Sequence, residues 1–327
     1  MRFHAPPRPL ATATFRALAL LAALFLPSHA SAQPGTQPQR VLMGMYVVDV
    51  SEFDLKSGTY SADFYLWARW NGPLDPTNFE VMNGSGEPCS PGGRRQQGTL
   101  RYAVFRCHYR FHRSFDLSDY PLDRHELTVE VEDRELTADE MVYVPDRGHT
   151  ALDPAVALSG WNVGTPRLRV LTHRYTLLGD PTRVDPDGHT PYSRLVLAIP
   201  VERNGMTVYV KSFLVMFLSV LVGFIGSAME SRHVEARLGL GVASIFGVVS
   251  SYVVVTQALP ETSSFTLADQ LHLVGMGFVF LSILVSVTMY RQHGRLGAER
   301  AERWDRALGL GAAAAFVIVV CAVTALR

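Results

Sequence analysis

The hydrophobic pattern divides the chain into a mixed, charged segment at residues 40–205 and a strongly apolar segment at residues 206–327. The apolar segment contains four long runs, at residues 208–228, 238–259, 271–290 and 307–326. A helix of about 20 apolar residues crosses the hydrocarbon core of a bilayer. The pattern therefore predicts a transmembrane domain of four helices at residues 205–327.

A different pattern, the alternation of polar and apolar residues, runs through residues 41–203. In residues 59–70, for example, apolar side chains recur at every second position, which is typical of half-buried strands. Turn signals such as Asn83-Gly84 separate several segments of this kind. The sequence therefore predicts an immunoglobulin-like β-sandwich at residues 33–204, and the fold class is β followed by membrane α.

The first 32 residues have the features of a signal peptide. Arg2, Arg8 and Arg16 form a basic leader, and residues 17–26 form a short apolar run. The small residues Ala30, Ser31 and Ala32 form a typical cleavage site. We predict cleavage after Ala32 and export of the sandwich.

The arginine distribution predicts the same orientation. The link between the first two spans carries Arg232 and Arg237, and the link between the last two carries five arginines. The middle link carries neither lysine nor arginine. Because basic links stay in the cytoplasm, the sandwich and the C-terminus are expected outside.

The second span differs from an ordinary lipid-facing helix because it is rich in glycine and hydroxyl residues. On a helical period, one face collects a carboxylate, small residues, an aromatic ring and a terminal amide. This pore stripe consists of Glu235, Gly239, Ala243, Phe246, Ser250, Val253 and Gln257. Several copies around an axis would line a pore with a carboxylate ring at one mouth. The alternative is a buried helix whose small residues allow close packing, with Glu235 complementing its N-terminus.

Composition excludes some classes of function. The 30 Lys and Arg residues balance the 30 Asp and Glu residues, so no nucleic-acid partner is expected. No catalytic motif of a known type occurs in a suitable setting, so we expect no enzyme activity and no cofactor. The His and Cys spacing does not suggest a metal site.

Two cysteines, Cys89 and Cys107, lie in the segment expected to be exported, where a disulfide can form. The residues between them include SPGGRRQQG at 90–98, which predicts a turn or loop. A bridge between the two is expected, with two free thiols as the alternative.

The segment FDLSDYPLD, at residues 115–123, interrupts the alternating pattern with a compact turn. Its proline cannot donate to a sheet ladder and belongs in a loop or at an edge. The segment resembles the signature loop of the pentameric ligand-gated ion channels, the Cys-loop receptor superfamily. The order of signal peptide, sandwich and four spans also resembles this superfamily, in its prokaryotic branch. The resemblance covers about residues 41–326. Further matches are Trp70, Gly160-Trp161, Arg203, Leu259-Pro260 and Glu235-Ala236-Arg237.

The chain also departs from the family pattern. The cysteines that flank the signature loop in many members are absent, and the first span lacks a proline near its middle. Gly239 and Ala243 occupy positions where many members have hydroxyl residues, and Phe246 replaces the usual branched aliphatic residue. These departures bear on conductance and selectivity more than on the fold.

The resemblance implies a homopentamer in the lipid of the bacterial inner membrane, opened by a ligand that the periplasmic domain senses. Glu235 at the inner mouth predicts cation selectivity, provided that Arg237 points away from the axis. If Arg237 or Arg232 lined the mouth, the channel would select anions. Phe246 is the predicted gate and Val253 the second constriction.

The resemblance also assigns coupling and ligand residues. The loop at residues 120–123 would rest on the link at residues 260–270, and Asp123 would pair with Arg203. The coupling residues are then Tyr120, Pro121, Leu122, Asp123, Arg203 and Pro260. A small agonist such as an amine would bind between subunits, under a hairpin at residues 176–195, by cation–π attraction to aromatic rings.

The aromatic residues predicted for this site are Trp67, Trp70, Tyr102, Phe105, Tyr175 and Tyr192, although alternating aromatics on strands usually belong to a core. Asp180, Asp185 and Asp187 have carboxylates suited to modulation by Ca²⁺, although acids on solvated loops are common. A non-conducting membrane receptor of the same fold is the main rival, but it would need a cytoplasmic output domain, and the third link is too short to supply one.

Overall fold

The computed structural model describes residues 37–176, 184, 185, 187–260 and 264–326, and the side chains of 293–296 and 298 lie outside the description. The predicted signal peptide and the tip of the predicted ligand hairpin fall outside these residues. The strands are β1 (Gln39–Asp54), β2 (Thr59–Asn71), β3 (Phe79–Val81), β4 (Gly84–Ser85), β5 (Ser90–Gln97), β6 (Leu100–His112), β7 (Arg124–Asp133), β8 (Met141–Pro145), β9 (Ala151–Leu152), β10 (Trp161–Val163), β11 (Arg167–Thr176) and β12 (His189–Arg203).

These strands form two sheets. One has the order β4-β6-β2-β1-β8, with β5 added beside β6 and β9 beside β1, and the other has the order β10-β12-β7-β3, with β11 beside β12. Alternate side chains from both sheets fill the core, as Phe64, Leu66, Leu127 and Leu197 do. The predicted sandwich is confirmed, because the two-residue period places one face of each long strand inside.

The loop predicted at residues 90–98 is wrong. Residues Ser90–Gln97 form strand β5, which pairs antiparallel with β6. Its side chains are all exposed, so the segment shows no alternation that would identify a strand. A β-bulge between Pro91 and Gly93 accommodates the proline and the glycines. A disulfide joins Cys89 to Cys107 just before this pairing begins.

The membrane domain consists of α1 (Gly205–Ala228), α2 (Val234–Gln257), α3 (Leu267–Leu296) and α4 (Ala298–Ala325). All four contain a stretch long and apolar enough to cross a membrane. The third link is helical apart from Gly297, which lies between α3 and α4. Its Ala, Glu and Arg residues are strong helix formers, and Gly297 turns the chain at a φ of 76°.

A second apolar core lies among the helices and includes two residues of the sandwich. Phe213, Met216 and Leu271 lie in this core with Leu117 and Tyr120 of the predicted coupling segment. The sandwich and the helices therefore share packed side chains in addition to the chain connection at Asn204.

Candidate functional site

The pore stripe lies on the exposed face of α2. All of its seven residues are exposed in the single subunit, and Phe246 in the middle is 68% exposed. The opposite face is buried and includes Ser244, Val248 and Ser251. The stripe is therefore free to face an axis or a neighbouring copy.

The glycines of α2 divide between the two faces. A Cβ added to Gly247 would lie 2.1 Å from Ser219 Oγ of α1, and one added to Gly241 would lie 2.6 Å from Ile283 of α3. A Cβ on Gly239 would meet no described atom within 4 Å. Close helix packing thus explains Gly241 and Gly247, as the alternative interpretation held, but it does not explain Gly239 on the pore stripe.

Arg237 is buried at 3% exposure on the side of α2 that faces α4. Its guanidinium donates to both carboxylate oxygens of Asp305, at 2.8 and 3.1 Å, and to the carbonyl of Ser227 at 2.8 Å. A planar guanidinium matches a carboxylate in this two-point geometry. The positive charge of Arg237 is therefore turned away from the pore stripe and compensated within the subunit.

The end of α2 that carries Glu235 has further charges. Glu235 is exposed at the first turn, while Glu230 and Arg232 form an exposed ion pair just before the helix. Glu235 is the only charged residue of the pore stripe, and of the two arginines beside it Arg232 is paired with Glu230 and Arg237 is buried.

At the junction of the two domains, Asp123 is buried at 1% exposure. Arg203 donates to it from Nε at 2.7 Å and from Nη2 at 3.2 Å. His125 Nε2 lies 2.6 Å from the carboxylate. Burial alone would raise the pKa of Asp123, but the hydrogen bonds from His125 and Arg203 and the charge of Arg203 lower it overall.

Aromatic rings hold the other side of Arg203. Its guanidinium lies 4.2 Å from the ring centre of Trp161 and 5.0 Å from that of Tyr120. Such contacts stabilise a cation electrostatically. Arg203 ends β12 and is followed by Asn204, the residue before α1, so this cluster fixes the entry of the chain into the membrane domain.

Two further contacts connect the sandwich to the end of α2 and the start of α3. The backbone N–H of Leu267, at the start of α3, donates to the carbonyl of Ser118 at 2.8 Å. Lys56 Nζ, in the turn between β1 and β2, donates to the carbonyl of Gln257 at the end of α2 at 3.2 Å. Pro260 lines a cavity of about 570 Å³ beside this turn. The segment around Tyr120 therefore contacts the region that the resemblance assigned to it.

Two of the predicted ligand residues are not available to a ligand. Trp70 and Phe105 are 4% and 7% exposed and belong to the sandwich core, where Phe105 packs against Phe79. Their assignment to the ligand site is corrected, because both side chains point to the inner face of their strands. Trp67 and Tyr102 are half-buried, and the indole N–H of Trp67 donates to Asp146 at 3.2 Å.

Tyr175 and Tyr192 lie together on β11 and β12, with ring centres 5.7 Å apart. The hydroxyl of Tyr175 donates to Glu132 at 2.8 Å and accepts from Arg194 at 3.1 Å. Burial and the carboxylate of Glu132 raise the pKa of Tyr175 to about 12. Tyr192 is 7% exposed, as buried as Phe105, so its assignment to the ligand site is corrected as well, and Tyr175 presents the accessible ring of this pair.

Three residues at these sites were not predicted from the sequence: Asp305, His125 and Lys56. An arginine at the start of an apolar helix signals that a partner is needed, but it does not identify the partner. Among the described residues no group of three or more potential ligands could hold a metal. Asp185 accepts from the backbone N–H of Asp187 and His189, and Asp180 lies outside the described residues. Ca²⁺ modulation stays a prediction.

Comparison with known proteins finds relatives among receptor channels. The chain is 27% identical to the acetylcholine-gated chloride channel subunit acc-2 of Caenorhabditis elegans over 52% of this chain and 36% of the relative. It is 26% identical to the gamma-aminobutyric acid receptor subunit beta of Lymnaea stagnalis, over 58% and 36%. It is 21% identical to the gamma-aminobutyric acid receptor subunit pi of Rattus norvegicus, over 76% and 60%.

The first two matches span about a third of those relatives' length. No protein-family model matches the chain. The relatives are Cys-loop ligand-gated channel subunits, and their names describe receptors and channels, not enzymes. They support the predicted superfamily and the non-enzymatic expectation. Together with the four apolar helices, they indicate a multi-pass membrane protein.

Proposed function

We propose that the chain is the subunit of a homopentameric ligand-gated ion channel of the bacterial inner membrane, with the sandwich and the C-terminus on the periplasmic side. The exposed pore stripe on α2 carries the proposal, because an otherwise apolar helix presents a carboxylate, small residues and an amide on one free face. The channel-subunit relatives support it. In the ring, five copies of the stripe surround water.

Two observations bear on the selectivity of this pore, and they point in opposite directions. The name of the acc-2 relative describes a chloride channel, which favours the anion-selective alternative. The charges of the described residues favour cations, because Glu235 is exposed and Arg237 is paired inside the subunit. The comparisons do not support cation selectivity, so it stands as a proposal from the side-chain geometry alone.

The residues that bind the agonist are proposed from the same resemblance. Tyr175 on one subunit, with Trp67 and Tyr102 on its neighbour, remains as an aromatic contact, because Trp70, Phe105 and Tyr192 are buried. Acetylcholine and gamma-aminobutyric acid appear in the names of the relatives and both carry an ammonium group, which aromatic rings attract. The first agonist panel is therefore these two compounds, simple amines, protons and Ca²⁺.

Glu235→Gln is expected to move the reversal potential towards zero. In a tenfold salt gradient, an ideally selective pore for one monovalent ion reverses at about 59 mV. Without its carboxylate ring, the pore loses its attraction for cations. The full chain is reconstituted in planar bilayers, and reversal potentials are measured for both proteins. Glu299→Gln, at the start of α4, is the matched control.

If the reversal potential of the wild type had the sign expected for a chloride-selective pore, the anion alternative would be established. The role of Glu235 in cation selectivity would then be rejected. The absence of ion flux with every member of the panel, from protein that assembles as a pentamer, would contradict the channel function itself.

Phe246→Ala is expected to raise the resting current. A ring of aromatic side chains cannot hydrate an ion, so it forms a barrier in a narrow closed pore. Lowering that barrier by about 1.4 kcal/mol raises the flux tenfold. Resting currents are recorded without agonist, with Ile245→Ala as the control on a partly buried neighbouring position. An unchanged resting current and activation curve in Phe246→Ala would reject the gate.

A further inference from the structure

His125 is a buried histidine that the proposed channel function does not use. Its side chain is 3% exposed and lies among the rings of Phe53, Phe115 and Trp161, with the centre of Trp161 at 5.5 Å. Histidine is the side chain whose charge changes between about pH 5 and 8. A histidine in contact with the Asp123–Arg203 pair therefore places a titratable group at the junction of the two domains.

The geometry indicates which ring nitrogen of neutral His125 carries the proton. Asp123 is ionised, because its pKa is lowered, and an ionised carboxylate only accepts hydrogen bonds. His125 Nε2, at 2.6 Å from Oδ2, is therefore the N–H donor, and Nδ1 is the nitrogen that gains a proton in acid. The same Oδ2 accepts the longer of the two Arg203 bonds, at 3.2 Å from Nη2.

His125 lines a cavity of about 670 Å³ that opens beside β7, β10 and β12. The charged residues that line the same cavity are Arg113, Asp116, Arg124, Glu126, Arg167 and Glu202.

The charged neighbours of His125 are mostly bonded to other groups. Arg124 pairs with Glu202, and Arg167 pairs with Glu126. Arg113 donates to Thr128, and Asp116 accepts from the backbone of Ser118. On β1, Glu52 accepts from Ser61 and Asp54 from Ser57. Among the described residues, Asp123 is the charged group bonded to the His125 ring, and Arg203 is the cation that shares it.

We propose that His125 is a pH-responsive positioning residue, which loosens the hold of Asp123 on Arg203 when it is protonated. A second cation at Oδ2 repels the guanidinium and competes for the same carboxylate. The Nη2 bond, the longer of the two, is the one that yields. Because Arg203 is two residues before α1, acid changes the constraint on the first membrane helix. This inference goes beyond the proposed function and does not require the chain to conduct ions.

Trp161 provides a direct readout, because a protonated imidazole quenches the fluorescence of a neighbouring indole. The full chain in lipid nanodiscs is titrated from pH 8 to pH 5, and the signal of Trp161→Phe is subtracted to isolate Trp161. We expect the Trp161 emission to fall as the pH falls within this range. His125→Gln, which keeps an N–H donor for Asp123 without a titrating group, is expected to remain flat.

Arg203→Gln tests the coupling between the two side chains. If His125 and Arg203 compete for Asp123, removing the guanidinium charge eases protonation, and the Trp161 titration moves to higher pH. By linkage, the same free energy describes how protonation weakens the hold on Arg203. His108→Gln is the matched control, because His108 also contacts an aspartate, Asp63 at 3.0 Å, but lies exposed on β6. Its Trp161 titration should equal that of the wild type.

Three results would overturn the proposal. The first is a Trp161 signal that stays constant in the wild type between pH 8 and pH 5. The second is a titration that persists in His125→Gln or disappears in His108→Gln. The third is a midpoint that does not move in Arg203→Gln. Since the first of these uses only the wild type and Trp161→Phe, a folding defect in another variant would not remove the test.

Discussion

Asp305→Ala is expected to destabilise the subunit by about 3–5 kcal/mol, because it leaves the buried guanidinium of Arg237 without a counter-charge. Arg237 would keep its bond to the carbonyl of Ser227 but lose both carboxylate bonds. The loss is large because neither side chain has access to water, at 1% and 4% side-chain exposure. The measurement is the thermal unfolding of the purified protein in detergent, with the pentamer fraction followed by size exclusion.

The control for this experiment is an exposed pair on the same helix. Arg306 and Glu302 lie 3.4 Å apart in α4, and Arg306 is 73% exposed. Exposed pairs contribute about 0–1 kcal/mol, so Arg306→Ala should unfold almost as the wild type does. If Asp305→Ala and Arg306→Ala unfolded alike, the Arg237–Asp305 pair would have no special role.

A double variant separates the cost of an unpaired charge from the value of the pair. Replacing both residues by apolar side chains of similar size, as in Arg237→Met with Asp305→Leu, removes both buried charges together. Such replacements are often neutral or stabilising, so the double variant should recover most of the stability lost in Asp305→Ala. A double variant as unstable as Asp305→Ala would indicate that packing, and not the unpaired charge, causes the loss.

The same pair bears on the selectivity proposal. Arg237 follows Glu235 by two positions, and on a helix such a spacing places the two side chains on different faces. The sequence therefore predicts that Arg237 points away from the pore stripe. The structure identifies its ion-pair partner, Asp305 on α4. A released Arg237 would put a positive charge near the carboxylate of Glu235.

The fold was largely predictable because its signals are local. Span length and a two-residue period depend on neighbouring positions, and both α1 and β2 follow from them. Strand β5 was missed because its side chains all face solvent and its pairing with β6 decides the structure. The helical structure of the third link was not predicted, because the spans were placed from the apolar runs alone, although the residues of the link favour a helix.

The sites were harder to predict, because their partners are distant in sequence. Arg237 and Asp305 are 68 positions apart, and Asp123 and Arg203 are 80 apart. The family resemblance supplied the second pair but not His125, one histidine among 11 in the sequence. On α2, periodicity separated two faces, but only the positions of Ser219 and Ile283 show which glycines are needed for packing.

Asp123→Asn is expected to abolish or strongly weaken agonist activation while leaving the pentamer assembled. The amide has the size of the carboxylate but lacks its negative charge. That charge holds the guanidinium of Arg203 and strengthens the hydrogen bond from His125. Breaking a buried pair costs about 3–5 kcal/mol when a charge is left uncompensated. Here the rings of Trp161 and Tyr120 still hold Arg203, so part of the loss should be offset. Activation is measured by bilayer recording, and assembly by size exclusion.

The stability effect of Asp123→Asn should depend on pH in a defined direction. The pKa of Asp123 in the folded protein lies below its ordinary value of 3.8. The ionised carboxylate therefore contributes stability above about pH 4, and this contribution is lost as the pH falls through the lower, folded-state pKa. The difference in unfolding temperature between wild type and Asp123→Asn should shrink as the pH falls below about 4, separately from any change between pH 8 and pH 5 that protonation of His125 causes.

Glu202→Gln is the matched control for both measurements, because Glu202 precedes Arg203 and forms an exposed pair with Arg124 at 2.9 Å. Removing that charge should change neither activation nor the acid dependence by a comparable amount. Normal activation in Asp123→Asn would reject the coupling role. An acid dependence shared equally by wild type and Asp123→Asn would show that another group titrates there. Arg203 lies two residues before α1, so the loss of activation and the loss of stability in Asp123→Asn have the same cause. In both, the first membrane helix is no longer held to the sandwich by the Asp123 carboxylate.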